Sequence, residues 1–265
     1  MSKRLALLVL CTLAAPAAAE INMADSVEWQ TIDSDVVVRG FVTSANKTGD
    51  AYDVTFQITE TIKGGVKQSL QLQTTADPAR WRKDKTDLLL FLDKDRSKYV
   101  LRPQNGASES VFELGKHRAY TSAFDVLDKP TAVLAAARTA ARSTATASHR
   151  LDVPWDTPAM KALYGGSTVW MTVPVDAALE KLAQRWAAAP DVSTREEGAN
   201  ALANFRSDGN IEIMKKLLAD PGFAEVSTTG QPTVKRYLVR AAAHAALAKW
   251  HVPHASPTID EPLKK

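Results

Sequence analysis

The chain has 265 residues, with 33 lysines and arginines against 30 aspartates and glutamates, a length that buries one good core or two smaller ones. Its calculated pI of 8.9 overstates the charge: Lys3 and Arg4 belong to a leader, and removing them from the 33 bases leaves 31 against 30 acids. No general pull toward nucleic acid follows from that balance. The single cysteine, Cys11, lies in the same leader, so a processed chain has no disulfide, cysteine-zinc centre or cysteine nucleophile.

The leader has three parts in order. Lys3 and Arg4 are a positive start, Leu5 to Leu13 an apolar run, and Pro16 with Ala17, Ala18 and Ala19 a small-residue cleavage site before Glu20. The apolar run is shorter than the roughly 20 residues that span a bilayer. Residues 1–19 are therefore expected to be a cleaved signal peptide. The mature chain is expected to be extracytoplasmic, periplasmic or secreted, with no membrane anchor after cleavage.

Residues 20–148 read as a β-domain that ends in an alanine-rich helix. Val36-Val37-Val38 predicts a first strand, and Tyr52 to Thr59 alternates apolar and polar residues strictly, one face dry and one wet. Lys63-Gly64-Gly65 signals a turn before a second alternating run, Leu70 and Leu72 with Gln71 and Gln73, which predicts a hairpin. The unbroken run Leu88 to Leu92 suits a strand buried on both faces. Tyr99-Val100-Leu101 and Val111-Phe112 complete about six short strands, the pattern of a small antiparallel barrel or sandwich. Pro130 opens the helix, expected over Thr131 to Arg142.

Residues 149–176 read as an irregular connector, with prolines at 154, 158 and 174 and one apolar run, Val169 to Val173, that fits a further strand. The period then becomes helical over 177–252. Leu179, Leu182, Ala183 and Trp186 share one face, and Gly198, Ala201, Leu202 and Phe205 share another. Thr194-Arg195-Glu196-Glu197 matches a capping box and predicts a helix start there. Further helices are expected from about Asn210 to Ala219, ending at Asp220-Pro221, and from about Thr233 to Trp250. Residues 253–265 read as a flexible tail. The expected fold class is thus segregated α+β, a small antiparallel β-barrel or sandwich followed by an α-helical array.

Ile211 to Asp220, Asp220-Pro221 and Val239-Arg240-Ala241-Ala242-Ala243-His244-Ala245-Ala246-Leu247 resemble a HEAT-type repeat, over about 75 residues with Arg195 to Phe205 as a partial preceding repeat. The resemblance implies paired helices, although the loop from Phe223 to Pro232 is longer than that family's usual link. The order Asp35 to Gly40, Tyr52 to Ile58, then Lys63-Gly64 is similar to tissue-inhibitor/netrin-like modules, which implies an OB-type barrel. The inhibitors of that family ligate a protease zinc with an amino-terminal cysteine. The expected mature end here is Glu20, so that role does not carry over.

Chemistry is sparse. Gly165-Gly166-Ser167 comes nearest to a nucleophile elbow and reads as a turn; neither a phosphate-binding glycine loop nor a dinucleotide fingerprint occurs. His244, His251 and His254 are the weak metal candidates, read first as a packed helix face and its end. Asp25, Glu28, Asp33 and Asp35 cluster before the first strand; a hydrolase would use a pair such as Asp33 and Asp35 as acid and base. Trp81 among Arg80, Arg82 and Lys83, read as a polar loop, is the candidate partner-binding site, weighed against a tryptophan tucked onto the barrel. The expected function is a non-catalytic extracytoplasmic binding or scaffolding protein with a protein partner, no cofactor and no nucleic acid. A carboxylate hydrolase and an oligosaccharide-binding barrel are the alternatives.

Overall fold

The computed structural model describes residues 22–96, 98–103, 110–153, 169–227 and 232–263. The expected signal peptide and the Gly165-Gly166-Ser167 turn lie outside the described residues. Strand β1 (Asn22–Asp25) leads into helix α1 (Val27–Asp33), whose first turn is capped by Ser26 Oγ accepting from the Trp29 amide at 3.1 Å. Six strands and a short helix follow: β2 (Val36–Thr48), β3 (Ala51–Lys63), β4 (Ser69–Thr74), α2 (Ala79–Lys83), β5 (Leu88–Asp95), β6 (Lys98–Leu101) and β7 (Val111–Glu113). Five of these strands close a barrel in the order β2-β3-β4-β6-β5 and back to β2. All neighbours are antiparallel except β4 and β6, which run parallel, and β7 extends the edge of β5.

Closure requires β2 and β3, 13 residues each, to bend. Their pairing shifts register between Val37 and Val38, Arg39 and Gly40, and Val42 and Ser44, the bulges that bend takes. Gly40 sits at one of them, where a Cβ would stand 1.9 Å from the Gln57 carbonyl oxygen, so only glycine admits the close approach.

Strand β5 explains its own sequence. Leu88, Leu90 and Leu92 enter the barrel beside Val38, Val54 and Phe56. Leu89 and Phe91 point outward into a second layer with Val27 of α1 and with Val133, Leu134 and Ala137 of α3 (Pro130–Ala140). Phe91 meets Phe112 edge to face, centroids 6.4 Å apart. Burial of each of these side chains is worth about 1.5–3 kcal/mol, and the run is apolar throughout because neither face is wet.

The hairpin β8 (Ala119–Tyr120) and β9 (Val126–Leu127) precedes α3; β10 (Ser148–Val153) and β11 (Val169–Pro174) follow it and pair antiparallel. Strand β1 lies parallel to β11, so the chain's first described segment completes this three-stranded sheet. Leu151, Met171 and Val173 of the sheet belong to the core of the helices α4 (Ala177–Ala187), α5 (Val192–Leu202), α6 (Asp208–Leu217) and α7 (Leu238–Lys249). The chain is therefore mixed α+β, with a closed five-stranded barrel and seven helices among the described residues. No helix among them is long and apolar enough to cross a membrane.

Three local expectations are corrected. Helix α5 begins at Val192, with Asp191 as its cap accepting from the Thr194 amide at 2.7 Å; Thr194 is already inside the first turn. A carboxylate cap directly after Pro190 takes precedence over the later threonine. Helix α7, expected from about Thr233, starts at Leu238, because Val234–Arg236 forms strand β13 between β12 (Ala224–Val226) and β14 (Asp260–Pro262). Residues 260–262 are consequently a strand within the expected flexible tail, held by Arg236 on Asp260 at 2.8 Å and by the Tyr237 hydroxyl donating to Glu261 at 2.7 Å.

An ion pair ties the helices. Arg195 of α5 grips Asp220 through Nε at 2.7 Å and Nη2 at 3.0 Å, and Arg240 of α7 donates to the Asp220 carbonyl at 2.6 Å. Burial alone pushes the Asp220 carboxyl up, yet the Arg195 bonds, the Gly222 amide and the nearby Arg240 charge outweigh it and hold the carboxyl below its ordinary range. Its stabilising contribution is therefore present above the unfolded value near 4 and is lost as pH falls through the lower folded value.

Asp220→Asn is expected to cost about 3 kcal/mol at pH 7, because it leaves Arg195 buried without its counter-charge. The penalty shrinks below pH 4, read as denaturant midpoints of variant and wild type across pH; a pH-independent difference contradicts the assignment. Gly198→Ala tests the α4–α5 contact. A Cβ there would lie 2.4 Å from the Ala187 nitrogen, so despite better helix propensity the variant is expected to lose about 1–3 kcal/mol in the same measurement.

Candidate functional site

The barrel is weakest where β4 meets β6. Their parallel pairing consists of Leu72 with Tyr99 and Gln73 with Val100. Past Gln73 and Val100 both segments line a groove of about 520 Å³, Thr74 to Ala76 from one and Leu101 to Pro103 from the other. That size falls in the range of ligand pockets, about 300–1,000 Å³.

Trp81 forms part of the groove's wall, and the local sequence puts it there. Asp77 accepts from the Ala79 amide at 2.9 Å and Pro78 opens the single turn of α2, so residues 79–83 are helical instead of the expected polar loop. Trp81 is 5% exposed and packs into the barrel core with Leu88 and Val111. Its indole N–H donates to Glu113 Oε1 at 2.9 Å. The ring is therefore barrel core that also borders the groove. Arg82 and Lys83, its charged neighbours, are exposed.

Glu113 is the acid that the sequence reading missed. Its side chain is 3% exposed and receives Trp81, Arg80 at 2.8 Å and Lys116 at 3.0 Å. Burial pushes its carboxyl up, but the Trp81 and Lys116 bonds and the Arg80 and Lys116 charges reverse this, so it titrates below its ordinary range and stays ionised. An acid inside the otherwise apolar Val111-Phe112-Glu113-Leu114 was the signal available in the sequence. Arg80 itself remains exposed, its guanidinium 5.5 Å from the Trp81 ring centre.

Arg102, just past β6, also lines the groove. It donates to Asp93 at 2.7 Å, to the Asp33 carbonyl at 2.8 Å and to the Asp33 carboxylate. Asp33 is thereby used in joining α1 to the barrel. Asp35 accepts from the Lys94 amide at 2.8 Å, and Glu28 accepts from the Ser122 amide at 3.0 Å. Asp25 is buried at the end of β1. Glu28, Asp33 and Asp35 of the four clustered carboxylates thus hold separate parts of the fold. Burial raises the Glu28 carboxyl, the Ser122 and Ser26 bonds only partly offsetting it. None of the groove's described lining residues is an acid.

The histidines divide. His244 Nδ1 and His254 Nε2 stand 2.7 Å apart, and His254 Nδ1 contacts the Val252 carbonyl at 2.7 Å. His251 leaves the helix in a left-handed conformation and is exposed, off the helical stripe on which its spacing had placed it. Among the described residues no group of three or more histidine, cysteine, aspartate or glutamate side chains is arranged to hold a metal ion.

Trp81→Phe removes one donor from a buried carboxylate and is expected to cost about 1–3 kcal/mol at pH 7. Since the Glu113 carboxyl is held low in the folded state, its contribution exists above the unfolded value near 4.5 and vanishes as pH falls through the folded one. Unfolding curves at pH 7 and pH 3 are expected to show a smaller penalty in acid; an equal penalty makes Trp81 a packing residue alone.

Comparison of the chain with protein-family models, with curated proteins and with solved structures gave no match.

Proposed function

We propose that this chain is a non-catalytic, extracytoplasmic binding protein that holds a protein partner in the groove between β4 and β6, with the helical array as its scaffold. The observation carrying this reading is the state of the groove's ionisable walls. Arg102 is committed to Asp33 and Asp93, and Arg80 shares the buried Glu113 with Trp81 and Lys116. Groups fixed in structural ion pairs suit holding a ligand better than moving a proton, which needs a group poised to titrate. The extracytoplasmic placement rests on the signal-peptide pattern of residues 1–19.

Two finer readings support binding by analogy of fold. Numbered within the barrel, the strands run 1-2-3-5-4 and back to 1, with a short helix between the third and fourth; we read this as an OB-type barrel, a fold whose second and third strands and loops carry ligands. In this chain those strands are β3 and β4, and the groove borders β4. Asp220, Val239 and Arg240, which carry the HEAT-type resemblance, meet through Arg240 on the Asp220 carbonyl, and stacked helical repeats offer partner surfaces.

A second reading, an oligosaccharide ligand, is favoured by the outer face of β2, β3 and β4. Ser44 donates to Thr55 at 2.8 Å, Gln71 to Thr55 at 3.0 Å and Gln73 to Asp53 at 3.3 Å, an amide and hydroxyl surface suited to neutral sugar.

The discriminating experiment is a pull-down from extracytoplasmic extract with residues 20–265 and the groove-filling variant Thr75→Trp, at an exposed position. One defined protein retained by wild type and reduced at least about tenfold by the variant is expected. Capture indifferent to Thr75→Trp, or retention of glycan instead of protein, overturns the protein-partner reading.

A further inference from the structure

We infer that the groove between β4 and β6 takes an extended acidic segment of its protein partner, an inference that rests on the binding reading above. Charge is the first observation. The groove's described lining includes Arg80 and Arg102 and no carboxylate, while Gln73, Thr74, Thr75 and Ser110 add amide and hydroxyl groups. The acids that neutralise Arg102 and contact Arg80, namely Asp33, Asp93 and Glu113, are absent from that lining.

The second observation is the availability of Arg80. Its side chain is 68% exposed and Nη2 meets Glu113 at 2.8 Å. A guanidinium has five N–H donors in a planar fork, so one engaged corner leaves others to grip a carboxylate. Glu113 thereby acts as an anchor that sets the orientation of Arg80 at the groove. The third observation is the set of exposed bases near Arg80. Arg82 and Lys83 stand exposed on α2 with Arg80, and Lys116, 62% exposed, lies on the other side of Glu113.

The chemistry selects carboxylates on a flexible chain. A rigid aromatic or aliphatic ligand would leave the Arg80 donors that Glu113 does not engage without an acceptor, and a neutral peptide would gain nothing from these bases. Because these bases are exposed, their attraction is screened by salt, which makes ionic strength a direct probe.

The test uses the chain of residues 20–265 and fluorescence anisotropy with a labelled peptide of alternating glutamate and glycine, a matched glutamine-glycine peptide, and heparin as an anionic glycan. Binding of the glutamate peptide is expected to be at least about tenfold tighter than that of the glutamine peptide. It is expected to weaken about tenfold in Arg80→Gln, the loss of one charge-assisted contact, and to weaken again between low and moderate salt. Lys83→Glu, at an exposed position, gives the same direction should Arg80→Gln disturb the fold. Equal binding of the two peptides, insensitivity to both variants, or binding of heparin alone overturns the inference. If a defined partner is captured and lost in Thr75→Trp while the peptides bind equally, the binding role stands and the acidic preference falls. Absence of any groove-dependent partner removes the binding role itself.

Discussion

Strand β5 is the element on which the rest of the molecule leans. It is buried from Leu88 to Leu92 on both faces, and it pairs with β2, β6 and β7. Its inward leucines fill the barrel, and its outward pair, Leu89 and Phe91, forms the floor on which α1 and α3 lie. Because side chains alternate along a strand, a slip of one residue would exchange the two sets and strand both cores. The position of α1 follows from this, and with it β1, which continues from α1 into the sheet that covers the helical array. Barrel and helices are therefore joined through the chain's first described residues, with Ser26 at the joint: its amide donates to the Thr172 carbonyl at 2.9 Å and its hydroxyl caps α1.

Buried and part-buried charge is handled by a repeated device. Glu113, Asp220 and Arg102 each draw partners from segments distant in sequence: Trp81 for Glu113, Arg195 for Asp220, Asp33 for Arg102. A buried ion costs several kcal/mol in lost hydration, and the cost is offset only when several well-placed partners converge. Glu113 and Asp220 meet that condition, which is why their carboxyls titrate low. Glu28 does not. Burial outweighs its neutral donors, its own amide, Ser122 and Ser26, so its carboxyl is pushed up, and the joint between α1 and the β8–β9 hairpin carries that burden as pH rises.

The groove is a consequence of barrel closure. Four of the five contacts in the closed barrel are antiparallel ladders; the fifth, β4 with β6, is a two-residue parallel pairing, and a barrel closed there on so few bonds leaves room beside them. Trp81 and its ion-pair cluster stand at that place, so the residues that seal the core also give the groove its charge. A surface that comes from the closing contact of a fold tolerates little change without affecting stability, which separates exposed positions such as Thr75 and Lys83 from buried ones such as Glu113 as places to alter binding.

What the sequence determined by itself is what neighbours within a few residues decide. Alternation at Tyr52 to Thr59, double burial at Leu88 to Leu92 and the shared faces of Leu179, Leu182 and Ala183 were legible because a strand repeats every two residues and a helix every 3.6. The tertiary structure decided whatever depended on a distant partner. Val234 to Arg236 lies beside good helix formers and is a strand because residues 224–226 and 260–262 flank it. Trp81 lies among cations and is core because an acid 32 residues away accepts its N–H. The groove was not legible at all, since it exists only where β4 and β6 stop pairing, and no periodicity records the point at which two strands part.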